Sequence, residues 1–149
     1  MKLQKEELTE VLLAVLKALR VAESKFRAAA SVVTDVKLRQ TLLERARAWA
    51  QAARELAALA RMERTAMCVA HASVRAARAW LPGDVAPLIE CERCEENVAL
   101  RYRDALDHRL PTDVERVLMR QFDEVLSHLG TLQRLLAERG PVPLGAAAH

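Results

Sequence analysis

The sequence predicts an all-α fold, a bundle of four long helices with an additional short helical segment between the second and the third. Two observations carry this. Of 149 residues 52% are hydrophobic but only 3% aromatic, so alanine, leucine and valine must fill the core. Small aliphatic side chains suit closely packed helices, whereas a sheet draws on aromatic and β-branched residues. In addition, neither glycine nor proline occurs before Pro82, and so long an opening without a breaker reads as extended helix. The length fits one domain with one core, assigned to residues 1–140, while the closing PVPLGAAAH reads as a disordered tail over 141–149.

The first helix is expected from about Lys5 to Val33, where Leu8, Leu12, Val15, Leu19, Ala22, Phe26, Ala29 and Val33 alternate four and three apart as a bundle seam. The triplet TDV at 34–36 supplies a turn, and Asp35 is the expected N-cap of the second helix. Leu38, Leu42, Trp49, Ala53, Leu56 and Ala60 give that helix its inner stripe, and a break is expected near Glu63–Thr65, since an unbroken run to Trp80 would be unusually long. LPGD at 81–84 is a turn, with Asp84 expected to cap the third helix. TDVE at 112–115 has the form of a capping box, in which Thr112 bonds the amide of Glu115 and the glutamate reaches back. Leu118, Phe122, Val125, Leu129, Leu132 and Leu136 then carry a four-three ladder until Gly140 and Pro141 end it.

Charge narrows the function classes. The net charge is +3, with 23 basic and 20 acidic residues interspersed. That is a solvated mixed surface with no basic stripe or aromatic-basic interleaving, so no nucleic-acid partner is expected. The apolar run VLLAVLKALRVA is interrupted by Lys17 and Arg20 and preceded by Glu6 and Glu7, which reads neither as a membrane span nor as a signal peptide. Three cysteines without an export signal fit reduced thiols and a cytoplasmic location. Leu12, Leu13 and Leu16 give the first helix a second apolar flank beside its seam, which predicts a homodimer.

The third helix carries LIECERCEEN at 88–97, four glutamates and two cysteines within ten residues. Leu88, Cys91, Val98, Tyr102 and Ala105 set its inner stripe, and Glu95 falls on the same ladder with Glu92 near its edge. A lone buried carboxylate is very costly, so Glu95 must meet a cation, a hydrogen-bond network or a metal. Other helices show similar acids. Glu23 aligns with Leu12, Leu16 and Ala30; Glu55 with Ala52 and Leu59; Glu124 and His128 border the last stripe. One inward acid per helix with a histidine on the last is how bundle cores build carboxylate-bridged metal sites, and such ligands suit iron or manganese. The candidate ligands are Glu23, Glu55, Glu92, Glu95, Glu124 and His128. Against this stands pairing with arginine, or side chains reaching out to solvent.

The cysteines offer an alternative. Cys68-x-x-His71 and Cys91-x-x-Cys94 have the pairing and separation of a zinc site. A hairpin about LPGD would bring His71 opposite Cys94. Equally, Cys68, Cys91 and Cys94 read as small buried side chains, and no cofactor at all is the third option.

The stretch APLIECERCEENVALRYRDALDHRLPTDVERVLMRQFDEV, together with AHASVRAARAWLPGD, VVTDVKLRQTLL and AESKFRAAA, resembles a bacterial family catalogued as a ferritin-like domain of unknown function. The resemblance covers about Leu8 to Leu136. It implies a ferritin-like four-helix bundle with acids at Glu23 and Glu95, and no particular reaction. This chain departs from ferritin-like di-iron proteins, which carry Glu-x-x-His on the second and fourth helices. Ala58 stands three residues after Glu55 and Ser127 three after Glu124, with His128 one residue later. Cys94 stands where the family usually has glycine. Three functional readings follow: a metal-binding bundle without an assigned reaction, a metal-free interaction module, and a di-metal oxidase.

Overall fold

The computed structural model describes residues 5–60 and 83–139. Over these residues the chain forms four helices and no strand: α1 (Lys5–Val32), α2 (Val36–Ala60), α3 (Val85–Leu106) and α4 (Thr112–Arg139). The expected break near Glu63–Thr65, the short helical segment after it and the tail at 141–149 lie outside the described residues.

α1 buries Leu12, Val15, Leu19, Ala22, Phe26 and Ala29 on the expected seam, with Val33 following in the turn. Leu16 is also fully buried, and Leu13 packs partly buried against the core. Two of the three leucines of the flank expected to meet a second copy are therefore covered by the chain itself. Glu6 and Glu7 occupy the first turn of α1, where negative charge opposes the helix dipole favourably.

Asp35 caps α2 as expected. Its Oδ1 accepts from the amides of Lys37 at 2.9 Å and Leu38 at 3.3 Å, satisfying two of the donors a helix start leaves open. The other two cap expectations are corrected. Asp84 stands at the head of α3 but makes no side-chain bond to that helix. Its carboxylate instead accepts from the amide of Thr34 at 2.8 Å and of Asp35 at 3.2 Å, tying α3 to the turn between α1 and α2. Two amides in an exposed turn outcompete the helix's own first turn for the same oxygens. Nor does TDVE form a capping box. The Glu115 amide donates to the Pro111 carbonyl at 2.9 Å, so the helix starts one residue earlier than the box requires, while Asp113 accepts from the adjacent amide of Val114 at 2.9 Å. Gly83, at φ +67°, takes the left-handed conformation that glycine adopts without a Cβ clash.

The polar bridges fix the helix directions. Asp84 at the start of α3 and Arg139 at the end of α4 both reach the α1–α2 turn, Arg139 through a 2.9 Å bond to Asp35. α1 and α4 therefore run toward that end and α2 and α3 away from it. α2 ends at the opposite end of the bundle from the one where α3 begins. α1 packs against α2 and α3, and α3 against α4, whereas α2 and α4 approach each other at only a few positions. The core is built as its composition requires, with Ala22, Ala46, Ala53 and Ala105 letting the backbones close, and Phe26 meeting Trp49 edge to face at 5.9 Å.

Candidate functional site: a polar core and cavity among α2, α3 and α4

Glu95 lies where its spacing placed it, at 0% exposure among Leu88, Cys91, Val98 and Tyr102 on the buried side of α3. Its partner is Arg45 of α2, itself 6% exposed, whose Nη2 donates to Glu95 Oε2 at 2.7 Å. The guanidinium also lies over the Trp49 ring, its carbon 4.0 Å from the ring centroid, a cation–π contact strengthened by desolvation. Burial still outweighs the pairing. It pushes the Glu95 carboxyl up to about 7, with the charge and hydrogen bond of Arg45 pulling the other way.

Arg45 is the residue that sequence reasoning missed. Its signal was present: position 45 lies three residues after Leu42 and four before Trp49, on the inner ladder of α2. An arginine inside a seam reads by default as a surface cation, and only its pairing with Glu95 makes the inward position tolerable.

A second polar layer lies beside the first. Gln121, 2% exposed on the ladder of α4, accepts from the Tyr102 hydroxyl at 2.6 Å. Its amide nitrogen donates to the Ala52 carbonyl at 3.2 Å and to Glu55 Oε1 at 2.9 Å. Glu55 also pairs with Arg120 of α4, which lies 3.7 Å from Glu124. The hydrogen bond from Arg120, joined by that from Gln121, holds the Glu55 carboxyl below its usual range against the opposing effect of burial. Tyr102, meanwhile, has its hydroxyl pushed well above the ordinary tyrosine range by burial, which suits a hydrogen-bond donor and not a titrating group. These side chains bridge the wide side of the bundle between α2 and α4 and border a cavity of about 130 Å³ whose walls include Arg45, Trp49, Ala52, Tyr102, Gln121 and Val125.

Among the described residues, three buried polar atoms in this region have no hydrogen-bond partner: Arg45 Nε, Trp49 Nε1 and Glu95 Oε1. Arg45 and Trp49 line the cavity.

The remaining candidate ligands are dispersed. Glu23 lies on the outer side of α1, held by Arg20 at 3.1 Å and Arg27 at 3.2 Å. Glu92 is half-buried on α3, and Glu124 and His128 are on the exposed part of α4. His128 is lowered from its ordinary value, first by desolvation and then by the charge of Arg45. Among the described residues, no three His, Cys, Asp or Glu side chains are grouped as a metal would need. Glu95 faces a guanidinium, and Glu55 shares another with Glu124. For the alternative zinc set, Cys68 and His71 lie outside the described residues. Cys91 and Cys94 are free, buried thiols. Burial raises both, Cys94 to about 12, so these thiols are protonated at neutral pH and unsuited to nucleophilic chemistry.

No helix among the described residues is long and apolar enough to cross a membrane. Compared with protein-family models and with curated proteins, the sequence matches none.

Proposed function

We propose that the chain is a ferritin-like bundle whose core charge is balanced from within, and that it serves as a binding and interaction module and not as a carboxylate-bridged oxidase. One observation carries the reading: the 2.7 Å contact between Arg45 and Glu95 at the buried centre of the bundle. In carboxylate-bridged bundles the inward acids share metal cations. Here the inward acid of α3 has its cation from α2, and a dication beside it would meet a like charge in a poorly solvated place. Support for the ferritin-like connectivity comes from the helix directions, since α2 and α3 run parallel while α1 with α2 and α3 with α4 are antiparallel, as in bundles of that kind. The motif resemblance around Glu95 points the same way.

The test is a metal titration joined to a charge swap. Protein purified without a metal column, loaded with ferrous iron, manganese or zinc and then desalted, is expected to retain less than stoichiometric metal. Glu95→Leu should lower stability by about 3–5 kcal/mol, because Arg45 is left charged and buried. Chelator should not change its melting temperature, and Arg45→Met combined with Glu95→Leu should recover most of the loss. Stoichiometric metal that disappears in Glu95→Leu would overturn the proposal.

A further inference from the structure

We propose that the outer face of α4 is a self-association surface, on which α4 of a second copy of this chain packs antiparallel about a two-fold axis level with the step from Phe122 to Leu126. Met119 and Leu126 are 52% and 42% exposed, and their spacing puts them two turns apart on one helix face. Phe122 and Leu129 are only partly buried where they pack against the core. Met119, Phe122, Leu126 and Leu129 thus form an apolar row spaced three and four apart, the pattern by which helices seat on one another. The chain's own core is served by a different row of α4, the buried Val114, Leu118, Gln121, Val125 and Leu132.

Charge and symmetry point to a second copy as the occupant. The apolar row is closed by Glu115 one turn before Met119 and by Arg134 beyond Leu129. Both are exposed, and among the described residues neither has an ion-pair partner. Arg134 Nη1 lies 4.0 Å from where a Cβ on Gly130 would stand, so the guanidinium is folded back along the edge of the row. About 28 Å of helix separates the two charges, too far for them to meet within one chain. An antiparallel copy brings each Glu115 beside Arg134 of the other. The midpoint between Glu115 and Arg134 coincides within a residue with that of Met119 and Leu129 and that of Phe122 and Leu126, so one axis satisfies charges and apolar contacts together. Asp123 also falls near this axis, and the Arg103 guanidinium, 6.0 Å from the Phe122 ring, supplies positive charge at the same level. α4 has 28 residues, so a face about 42 Å long and about 10 Å across is available. Roughly 800 Å² over both copies is the size of a weak interface, and the dimer is expected to dissociate on dilution.

This surface gives the interaction role proposed above its partner and rests on that reading, but Arg45 and Glu95 take no part in it. A monomer would therefore end the dimer and leave the outcome of the metal titration untouched. Sedimentation equilibrium of the full chain over a wide range of concentration should follow a monomer–dimer equilibrium, with circular dichroism confirming that each variant is folded. Leu126→Glu, or Met119→Glu should the first not fold, should weaken the dimer by at least about tenfold, because it sets two carboxylates near the axis. Glu115→Arg and Arg134→Glu should each weaken it about fivefold, as expected for two exposed ion pairs. An equimolar mixture of these last two variants should associate as tightly as the wild type, since in the mixed dimer each end again meets its opposite charge. Three results would overturn the surface: a monomer at every concentration, a dimer that Leu126→Glu and Met119→Glu both leave intact, or a mixture that associates no better than either variant alone.

Discussion

A carboxylate without access to water takes up a proton more readily in the folded chain than in the unfolded one, and Glu95 is in that position. Its carboxyl is pushed up to about 7 by burial, from 4.5. The folded state therefore binds the proton more tightly, and stability falls as pH rises between those values. The loss amounts to about 3 kcal/mol at most, from the width of the window. His128, lowered by desolvation, works in the opposite direction, favouring the folded chain as pH rises through its titration. Asp35 and Glu55 are lowered and lose their contribution only as pH falls below the usual carboxylate range. Denaturant unfolding between pH 5 and 8 should show stability declining with pH in the wild type. In Glu95→Gln the trend should be flat or slightly rising, and identical slopes would refute the assignment. The position of Glu95 was legible because four-three spacing leaves it no outward option. Its partner was not, because spacing states which way a side chain points and not what it meets there.

At the level of the helices, the sequence was most informative where apolar periodicity and breakers agree. The ladder of α1 and the turn at 34–36 frame helices found at Lys5–Val32 and Val36–Ala60, while the expected stop at Gly140 and Pro141 lies outside the described residues. Capping was read less well, for a physical reason. A cap motif states that an oxygen stands near a helix start, while the fold decides which amides reach it first, and Asp84 gives its carboxylate to Thr34 and Asp35 of another turn. Asp84→Ala should therefore destabilise the whole bundle by about 1–2 kcal/mol, the range for losing hydrogen bonds to turn amides. Amide exchange should speed up at Thr34 and Asp35 and not in the first turn of α3. Faster exchange at the head of α3 alone would show that the aspartate caps its own helix.

For the molecule as a whole, the second apolar flank of α1 lies largely inside the fold. Leu12 and Leu16 are 1% and 0% exposed within a single chain, so these two leucines pack inside it, while Leu13 beside them is partly buried. Leu12→Asp should abolish the helical circular dichroism signal at every protein concentration, since it loses a buried side chain and adds a buried charge, together at least about 4 kcal/mol. A folded variant with half the wild-type mass by light scattering would instead identify the flank as an interface. Four helices and an apolar centre were foreseeable from composition and breakers. The wide side between α2 and α4 was not, because the single glutamine that spans it looks like any polar residue on a helix.

The bonds that cross from the first pair of helices to the second have a further consequence. Alanine-rich helix faces are smooth, and smooth faces slide. A slip of one turn moves a helix about 5.4 Å along its axis and would bring many alanines against equivalent alanines at little cost. The charges respond differently to such a slip, because it would part Arg45 from Glu95 in the interior and also break Lys25 from Glu90 and Arg139 from Asp35 nearer the surface. These pairs tie α1, α2 and the turn between them to α3 and α4. The buried pair then acts as a detent, adding little to the depth of the folded state but allowing the two halves to rest at one axial setting only.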